Sequence, residues 1–542
     1  MNGEQAAFKP ASQTPLQKIA LRFVVIGLIY YGFAAIEGML MRTVLVDPGI
    51  MPVEQYFGIL TAHPLVGIFG STYSIVFGAF LFLVPFLMKK PIWSVKMANW
   101  SFLLVAIGTI TFWTAGFITH YAPLYTLYWP LPADFDQFTP VGGAFFILGI
   151  ALVMVGTVLY VINIFKTIVY TPEGWEKQPS GALIRSALGI TGLTNLFRKK
   201  KDEKEHLVSL PVAAIARGTV DVALNSGIIL FTGVLILVYM VAAIFGHSLE
   251  KTAIDALLYK NWFWWGLDLV ADGLVLIYVA GSWYLLATLI TGQKLFMENV
   301  ARAALMLELI VSWMVWSHHL LADQGQPEMM KLISGEMVTA FELLTQGLAL
   351  FITLVTLWKA RPLKMTPALA YLLGGLVGFG LAVPAAIIQA DMGMNRVLHN
   401  TQWIIMAHVH IALIVGLYMT LYSALYVLWP IVTNNTTLYS KKLTWIHYWL
   451  YLIGGVAMGA FGGMAGLDGM LRRHLYINGE YNTWMILAAI AGSMVLIAWF
   501  LFLMNIVLSV GIKGLIGIFQ PAKDPTASYG IEPETVAEEH KG

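Results

Sequence analysis

Five of the 12 histidines fall inside long apolar stretches, at a similar depth and near one end of each stretch. They are His63, His318, His319, His408 and His410. Ionisable side chains are costly inside a bilayer and usually serve a function there. One intramembrane histidine is at least as often a hydrogen-bonded structural residue as a ligand. Five histidines at one depth on three helices instead predict a cluster of metal ligands.

The spacing of His408 and His410 predicts how such ligands are arranged. At about 100° per residue, two positions in an α-helix that lie two residues apart point about 200° apart. The two imidazoles can therefore hold two haems, one on each side of a single helix. His63 can face His410 across one haem and make it six-coordinate and low-spin, while His408 holds the other haem with one side open. His318 and His319 can then reach a non-haem metal over that open side.

The composition indicates the elements that must position these histidines. The 542 residues are 58% hydrophobic and 11% charged, whereas a soluble chain is about 25% charged. A bilayer span needs roughly 20 consecutive apolar residues as a helix. The sequence predicts an all-α integral membrane protein with about 12 transmembrane helices in one bundle. The predicted spans are 18–42, 57–88, 95–120, 141–170, 218–247, 261–291, 300–323, 331–358, 366–391, 401–430, 444–468 and 482–514.

The apolar spans also predict the domain organisation and the orientation. A cytoplasmic segment 1–17 precedes one membrane domain, 18–514, and a flexible cytoplasmic tail follows at 515–542. Lys and Arg concentrate in loops that share a side if the N-terminus is cytoplasmic, so we expect both termini there. The charged run 198–206 is expected to be a solvated loop, with contact to lipid headgroups as the alternative.

The chain contains no cysteine. This excludes a covalently attached c-type haem, an iron–sulfur cluster and a thiolate-bridged copper centre within the chain. Electrons must therefore come from a partner subunit, either cytochrome c-type or cupredoxin-like, or from a membrane quinol.

Three motifs resemble the haem–copper oxidase superfamily. The segment 401–410, Thr-Gln-Trp-Ile-Ile-Met-Ala-His-Val-His, resembles its tenth-helix signature. Residues 61–63, Thr-Ala-His, are similar to its haem-ligand motif on the second helix. Residues 317–319, Ser-His-His, are similar to its pair of metal ligands. The motifs occur in the family's order.

A fourth motif, Gly-Leu-Asp-Gly-Met-Leu-Arg-Arg at 466–473, resembles the family loop whose arginines bind haem propionates. Arginine is a strong bidentate partner for carboxylates. The resemblance implies a subunit I-like catalytic chain, with Arg472 and Arg473 at the propionates. It also implies a multi-pass protein of a prokaryotic cytoplasmic membrane, with a small gaseous substrate and no nucleic-acid partner.

The sixth predicted span departs from the oxygen-reducing members of that family. Those members place a third histidine ligand there, with a tyrosine four residues later. This chain has no histidine in the span and reads Trp-Trp-Gly-Leu-Asp-Leu-Val-Ala-Asp-Gly at 264–273. The nitric oxide reductases of the superfamily carry a Trp pair, a histidine, and a Glu-Gly four residues later. The chain resembles them, with Asp268 at the histidine position and Asp272 at the glutamate position.

Asp268 and Asp272 are four residues apart and share a helix face, so both can address one site. Two carboxylates and two imidazoles form a more oxygen-rich ligand set than three imidazoles, which favours iron over copper. We therefore predict a non-haem iron held by His318, His319 and at least one of the two aspartates. The alternative is that Asp268 only forms a hydrogen bond to a ligand.

The expected reaction reduces two nitric oxide molecules to nitrous oxide and water with two electrons and two protons. Asp272 and Glu342 are expected to deliver the protons, and Glu308 and Glu336 are further relay candidates. An oxygen-reducing terminal oxidase with an unusual active-site acid or tyrosine is the main alternative. A 12-helix transporter and a catalytically silent haem subunit are the other two.

Overall fold

The computed structural model describes residues 13–199, 206–316, 318–323, 325–434, 438 and 440–522. Within these ranges the chain is helical, and the extended pairing is confined to one bridge between Thr401 and Leu471. The expectations for 1–12 and 523–542, for most of the run 198–206 and for Ser317 fall outside the described residues.

Eleven of the predicted spans correspond to one long helix each and the seventh to a shorter helix, and the expectation of an all-helical membrane bundle is confirmed for the described residues. We number these helices in chain order. They are α1 (Pro15–Val46), α2 (Val53–Met88), α3 (Val95–Phe117), α4 (Pro140–Val169), α5 (Leu210–Ile244), α6 (Ala256–Thr291), α7 (Glu298–Ser312), α8 (Glu328–Lys359), α9 (Pro367–Ala390), α10 (Ile404–Thr433), α11 (Lys441–Leu467) and α12 (Asn482–Ile518).

Among the described residues, eleven of these helices are long and apolar enough to cross a membrane. The exception is α7, which has 15 residues and spans only about 22 Å at 1.5 Å per residue. The prediction of a helix over 300–323 is therefore wrong beyond Ser312. His318 and His319 lie instead in a short 3₁₀ turn, His318–Leu320. Hydropathy cannot separate a helix from an apolar turn that packs inside a bundle.

The start of α1 and the end of α12 meet at one end of the bundle. The Lys18 ammonium on α1 donates to the carbonyl of Gly517 on α12 at 2.9 Å, and Gln17 donates to Ile431 at the end of α10 at 2.7 Å. Lys359, the last residue of α8, lies over the ring of Phe296, just before α7, at this same end of the bundle. We call this end, which holds Lys18 and Lys359, the basic end. Whether it faces the cytoplasm stays a prediction from the loop charges.

Four helices contain π-helical stretches, and each lies beside a candidate site residue. They are Val66–Thr72 after His63, Ala271–Ile277 around Asp272, Leu332–Met337 before Glu342, and Ile404–Leu417 around the histidine pair of α10. π-helical turns are rare and often mark functional sites. The α-helical angle used for His408 and His410 therefore does not apply, because α10 is π-helical there.

Glycines hold α9 against the π-helical part of α10. A Cβ added to Gly378 would lie 2.5 Å from the Gly416 amide nitrogen and 2.7 Å from the Val415 carbonyl carbon. Neither backbone atom can move without displacing α10. Gly380, two residues further along α9, has no atom within 4 Å of an added Cβ.

We expect Gly378→Ala to destabilise the bundle by about 1–3 kcal/mol, because overpacking against backbone shifts both helices. Gly380→Ala is the matched control and is expected to leave stability unchanged or to raise it slightly, since alanine is the better helix former. Melting of the two purified variants in the same detergent measures the difference. Equal melting temperatures would show that α9 and α10 are not packed this closely.

Candidate active site

One cavity of about 440 Å³ reaches all five histidines predicted as ligands. Its walls come from α1, α2, α6, α8, α9 and α10, and from the loop after α11. It passes both His408 and His410, so it contacts two sides of α10. The lining is largely aliphatic and aromatic, and the polar groups are few and specific. A largely apolar cavity with a few placed polar groups is typical of a cofactor site.

His63 and His410 face each other across the cavity as a parallel pair. Their ring centroids are 6.2 Å apart and the ring planes differ by 10°. Two imidazoles on opposite sides of one metal, each with a metal–nitrogen bond of about 2 Å, place their centroids roughly 6 Å apart. The rings therefore have the separation and orientation that a bis-imidazole haem requires.

Backbone carbonyls fix which nitrogen of each histidine faces the cavity. Nδ1 of His63 is 2.7 Å from the Ala34 carbonyl oxygen, and Nδ1 of His410 is 2.6 Å from that of Ile405. Nδ1 of His408 is 3.3 Å from the Ala382 carbonyl oxygen. Each Nδ1 must therefore donate its hydrogen, which leaves Nε2 as the free lone pair for a metal.

The loop after α11 brings Arg472 and Arg473 to the same cavity. The Arg472 backbone amide donates to the Asn400 carbonyl at 2.9 Å, and the Gln402 amide donates to Met470 at 2.8 Å, so the loop is anchored beside the start of α10. Arg473 lies over the rings of Tyr125 and Tyr128. Burial lowers the pKa of Arg472 to about 10, which still leaves it charged at neutral pH.

Neither Arg472 nor Arg473 forms an ion pair with a carboxylate of the described residues. The Nε of Arg472 is buried and has no hydrogen-bond partner there. A buried guanidinium without an anion is costly. The buried Arg472 and the half-buried Arg473, together at a haem-sized cavity, fit the carboxylates of a haem.

Arg42 is a cavity residue that the sequence analysis missed. It lies near the end of α1 and lines the cavity, and among the described residues its Nη atoms donate to the sulfur atoms of Met406 and Met485, each at 3.5 Å. A thioether is a weak acceptor. The signal was an arginine at the edge of an apolar span, without a recognisable motif around it.

Asp268, His318 and His319 form a cluster that is able to hold a metal ion. One ligand atom from each lies within 4.8 Å of the others. His319 Nε2 is 2.7 Å from Asp268 Oδ1, and the rings of His318 and His319 are 4.9 Å apart. Thr339 Oγ1 lies 3.0 Å from Nδ1 of His318, which leaves Nε2 for a ligand role. His408 is close enough to interact electrostatically with both histidines of the cluster.

The cluster agrees with both sequence hypotheses for Asp268. Its Oδ1 meets the imidazole, as a hydrogen-bonding residue would, but its Oδ2 is buried without a hydrogen-bond partner. Of its side chain, 4% is exposed. A buried carboxylate oxygen without a donor is costly unless it contacts a cation. This oxygen fits a direct contact with a metal.

Further buried carboxyl groups adjoin the cluster. Asp272 and Glu342 line the cavity, and each has one buried oxygen without a partner among the described residues. Glu308 lies outside the cavity wall and accepts a hydrogen bond from Thr345, whose hydroxyl oxygen also lies 3.0 Å from the backbone carbonyl oxygen of Glu342. Glu336 lies outside this group, because it accepts from the Met392 amide at 3.1 Å and caps a short helix, Met392–Leu398.

Asp221 on α5 joins this group and was also missed from the sequence. It is fully buried and accepts hydrogen bonds from Ser312 Oγ at 3.2 Å and Trp313 Nε1 at 3.1 Å. It lies close enough to Glu308 and Asp272 for their ionised forms to repel one another. Gly273 allows α6 to pack closely against Asp221 on α5, since a Cβ on Gly273 would lie 2.7 Å from the Asp221 Cβ. A lone Asp in an apolar span was the available signal.

Comparison with known proteins identifies the family. A family model described as Cytochrome C and Quinol oxidase polypeptide I matches residues 18–494. Ubiquinol oxidase subunit 1 of Acetobacter aceti is 24% identical over 497 residues, which cover 89% of this chain and 68% of that protein. Cytochrome c oxidase polypeptide 1 of Halobacterium salinarum is 23% identical over 505 residues, covering 91% and 77%.

A solved heme-copper terminal oxidase dimer has a similar fold. It aligns with a TM-score of 0.70 and 18% identity over 95% of this chain and 86% of that chain. The family model covers most of the sequence, including every candidate histidine. The protein therefore belongs to the subunit I family of the haem–copper oxidases and is an oxidoreductase subunit of that family.

Proposed function

We propose that the chain is the haem-bearing subunit of a respiratory reductase, and that its metal site is best suited to nitric oxide. The observation that carries this proposal is the cluster of Asp268, His318 and His319 beside His408, in one cavity with the parallel histidine pair. In this arrangement the histidine pair, proposed for electron entry, and the metal cluster, proposed for chemistry, lie on two sides of α10.

His63 and His410 are proposed to hold the low-spin haem, and His408 the high-spin haem. The hydrogen bonds on Nδ1 keep the three imidazoles in the tautomer that presents Nε2. Arg472 and Arg473 would neutralise the propionates, and Arg42 would face the edge of the low-spin haem. When bound, the haems and the metal supply redox chemistry and Lewis acidity toward two substrate molecules held together.

His318, His319 and Asp268 are proposed to hold the non-haem metal, with iron preferred over copper because a carboxylate is a hard oxygen ligand. Thr339 would orient His318, and Trp264, whose ring centroid is 4.8 Å from that of His319, would pack against the other ligand. Such outer partners fix the ring orientation that a metal site needs.

The comparisons and the site favour different substrates. The relatives carry names of quinol and cytochrome c oxidases, so homology gives oxygen reduction the stronger support. The fold alone does not fix the reaction, which depends on the residues of the site. Quinol or a cytochrome c is correspondingly the proposed electron donor, in the cytoplasmic membrane of a prokaryote.

The site residues favour nitric oxide. Complete oxygen reduction needs four electrons, and family members that perform it use an active-site tyrosine beside the metal. The cavity-lining tyrosines are Tyr31, Tyr56, Tyr125 and Tyr418, and none belongs to α6, α7 or α8, which surround the metal cluster. Joining two nitric oxide molecules needs two electrons and two protons, and no tyrosine.

Buried carboxyl groups are proposed to supply these protons. Glu342 and Asp272 line the cavity at the metal cluster, and each has one oxygen free of hydrogen bonds to described residues. Thr345 contacts the Glu308 carboxyl and the backbone carbonyl of Glu342 through its hydroxyl. Asp221 extends the group toward α5. Protons are proposed to pass between these neighbouring carboxyl groups without leaving the bundle.

The proposal is tested on the purified complex with a chemical reductant. Nitrous oxide formation under anaerobic conditions, at a rate well above the background reaction, is expected. Oxygen uptake is measured in parallel. Oxygen consumption without nitrous oxide formation would show that the protein is a terminal oxidase instead. The absence of both activities would indicate a catalytically silent haem subunit.

We expect His63→Ala to abolish the optical signature of six-coordinate low-spin haem, because His410 would lose its opposite ligand. Electron entry should then fall by at least tenfold. His447→Gln is the control, since His447 is a buried histidine of α11 that lies outside the cavity. Reduced-minus-oxidised spectra of the two variants provide the comparison. Retention of the low-spin signature in His63→Ala would remove His63 from the ligand set.

Asp268→Ala is expected to lower the non-haem metal content and to reduce turnover by more than the roughly 10- to 100-fold typical of a residue that only supports a ligand. Asp136→Asn, whose side chain is 95% exposed, is the control for loss of a carboxylate. Metal-to-haem ratios and turnover with saturating metal are measured for both. A full metal complement with restored turnover in Asp268→Ala would make Asp268 a hydrogen-bonding residue rather than a ligand.

A further inference from the structure

A second cavity, of about 750 Å³, lies at the basic end of the bundle. Its walls come from the end of α2, the start of α5, the end of α6 and the start of α7. It does not share lining residues with the cavity that contains the histidines. Whatever occupies it is therefore independent of the proposed reductase chemistry.

Cationic side chains exceed anionic ones around this second cavity. Lys294 and Arg302 line it, together with one acid, Glu298. Arg217, which is fully buried, lies directly behind Arg302 and donates to its backbone carbonyl at 3.0 Å. The two guanidinium groups are close enough for their charges to repel. Among the described residues, three cations therefore lie around one carboxylate.

The arginines are only partly satisfied by the described residues. Glu298 Oε1 accepts from Arg302 Nε at 2.9 Å and from Nη2 at 2.7 Å, which leaves Nη1 of Arg302 buried without a partner. Nε and Nη2 of Arg217 are also buried and unpartnered. Arg302 has 1% of its side chain exposed. Buried cations in excess of anions are stabilised by an added anion.

The rest of the lining is suited to an amphiphilic ligand. The hydroxyl group of Ser209 and the side chain of Lys294 supply donors in the same cavity wall as Arg302. The apolar residues of the wall are Leu87, Leu285, Leu289, Leu295 and Val300. The start of α7 also lies in this wall, and its N-cap, Met297, provides no side-chain hydrogen bond to the free amides. Helix N-termini favour anionic groups.

The segment above the cavity has the character of a membrane interface. It contains two short helices, Ser180–Ala187 and Ile190–Leu196, and its residues Gly189 and Gly192 pack against the arginines. Gly189, at φ +79°, allows the closest approach, because a Cβ there would lie 2.3 Å from Nη2 of Arg217. The outer side exposes Leu196 by 43% and Phe197 by 84% next to the basic residue Arg198. Apolar side chains beside basic ones are typical of a segment at the headgroup level.

We propose that this cavity binds an anionic phospholipid, with the phosphate at Lys294 and Arg302 and an acyl chain along the leucines. The charge excess selects an anion, and the apolar wall together with the interfacial segment selects a lipid over a free phosphate. The bound lipid neutralises the charge left by Arg217 and stabilises the contact between α5, α6 and α7.

The test uses the complete protein in nanodiscs of phosphatidylcholine, with and without phosphatidylglycerol, and native mass spectrometry of the released protein. Retention of phosphatidylglycerol by the wild type is expected. Lys294→Gln should weaken retention about fivefold, because a basic side chain near an anionic headgroup contributes about 1 kcal/mol. Lys513→Gln is the matched control, since Lys513 is exposed on α12 and does not line the cavity.

Arg302→Gln is expected to abolish retention, and Lys294→Gln keeps the test valid if the arginine variant does not fold. Inorganic phosphate at millimolar concentration is the third arm. Equal retention by wild type and Lys294→Gln would overturn the proposal. Displacement of the lipid by phosphate alone would also overturn it, since the site would then be one for a free anion.

Discussion

The parallel placement of His63 and His410 is the constraint on which the arrangement of this bundle depends. Two rings from different helices must stay parallel and 6.2 Å apart, with the same nitrogen facing inward. Backbone carbonyls of α1 and α10 bind Nδ1 of the two histidines and so determine that Nε2 faces inward. Gly38 leaves room for the His63 ring, because a Cβ on Gly38 would lie 3.2 Å from the Cε1 of His63. The close contact of Gly378 on α9 supports the other helix of this pair, α10, which carries ligands on both sides.

The second organising feature is unbalanced charge around the cavity. Arg42, Arg472 and Arg473 present cations at one region, while Asp268, Asp272 and Glu342 present carboxylates at another. In a low-dielectric bundle neither set of charges would be stable alone, so each indicates that the ligand it binds carries the opposite charge. Cations fit the propionates of haem, and the carboxylate beside two imidazoles fits a metal ion. The same reasoning applied to the basic end leads to the anionic lipid.

The helices and most of the site followed from the sequence for definite reasons. Apolar spans of about 20 residues are an all-or-none requirement of the bilayer, so each helix except α7 ends within a few residues of its predicted bounds or extends beyond them. The turn that holds His318 and His319 did not follow, because its residues are as apolar as those of a helix. Arg42 and Asp221 were missed because a single charge carries no motif, and their partners lie far away in the sequence. The π-helical course of α10 likewise depends on packing against α9 and α11, which no local pattern encodes.

The fold places the chain in its family, but the identity of the reaction depends on the ligands of one metal. The most direct test is a count of iron, copper and haem in the purified wild-type protein. The account predicts three irons for every two haems and no copper, since Asp268 replaces an imidazole in the ligand set. One copper for every two haems, with no iron beyond that of the haems, would contradict it and would return the site to the copper chemistry of the oxidases.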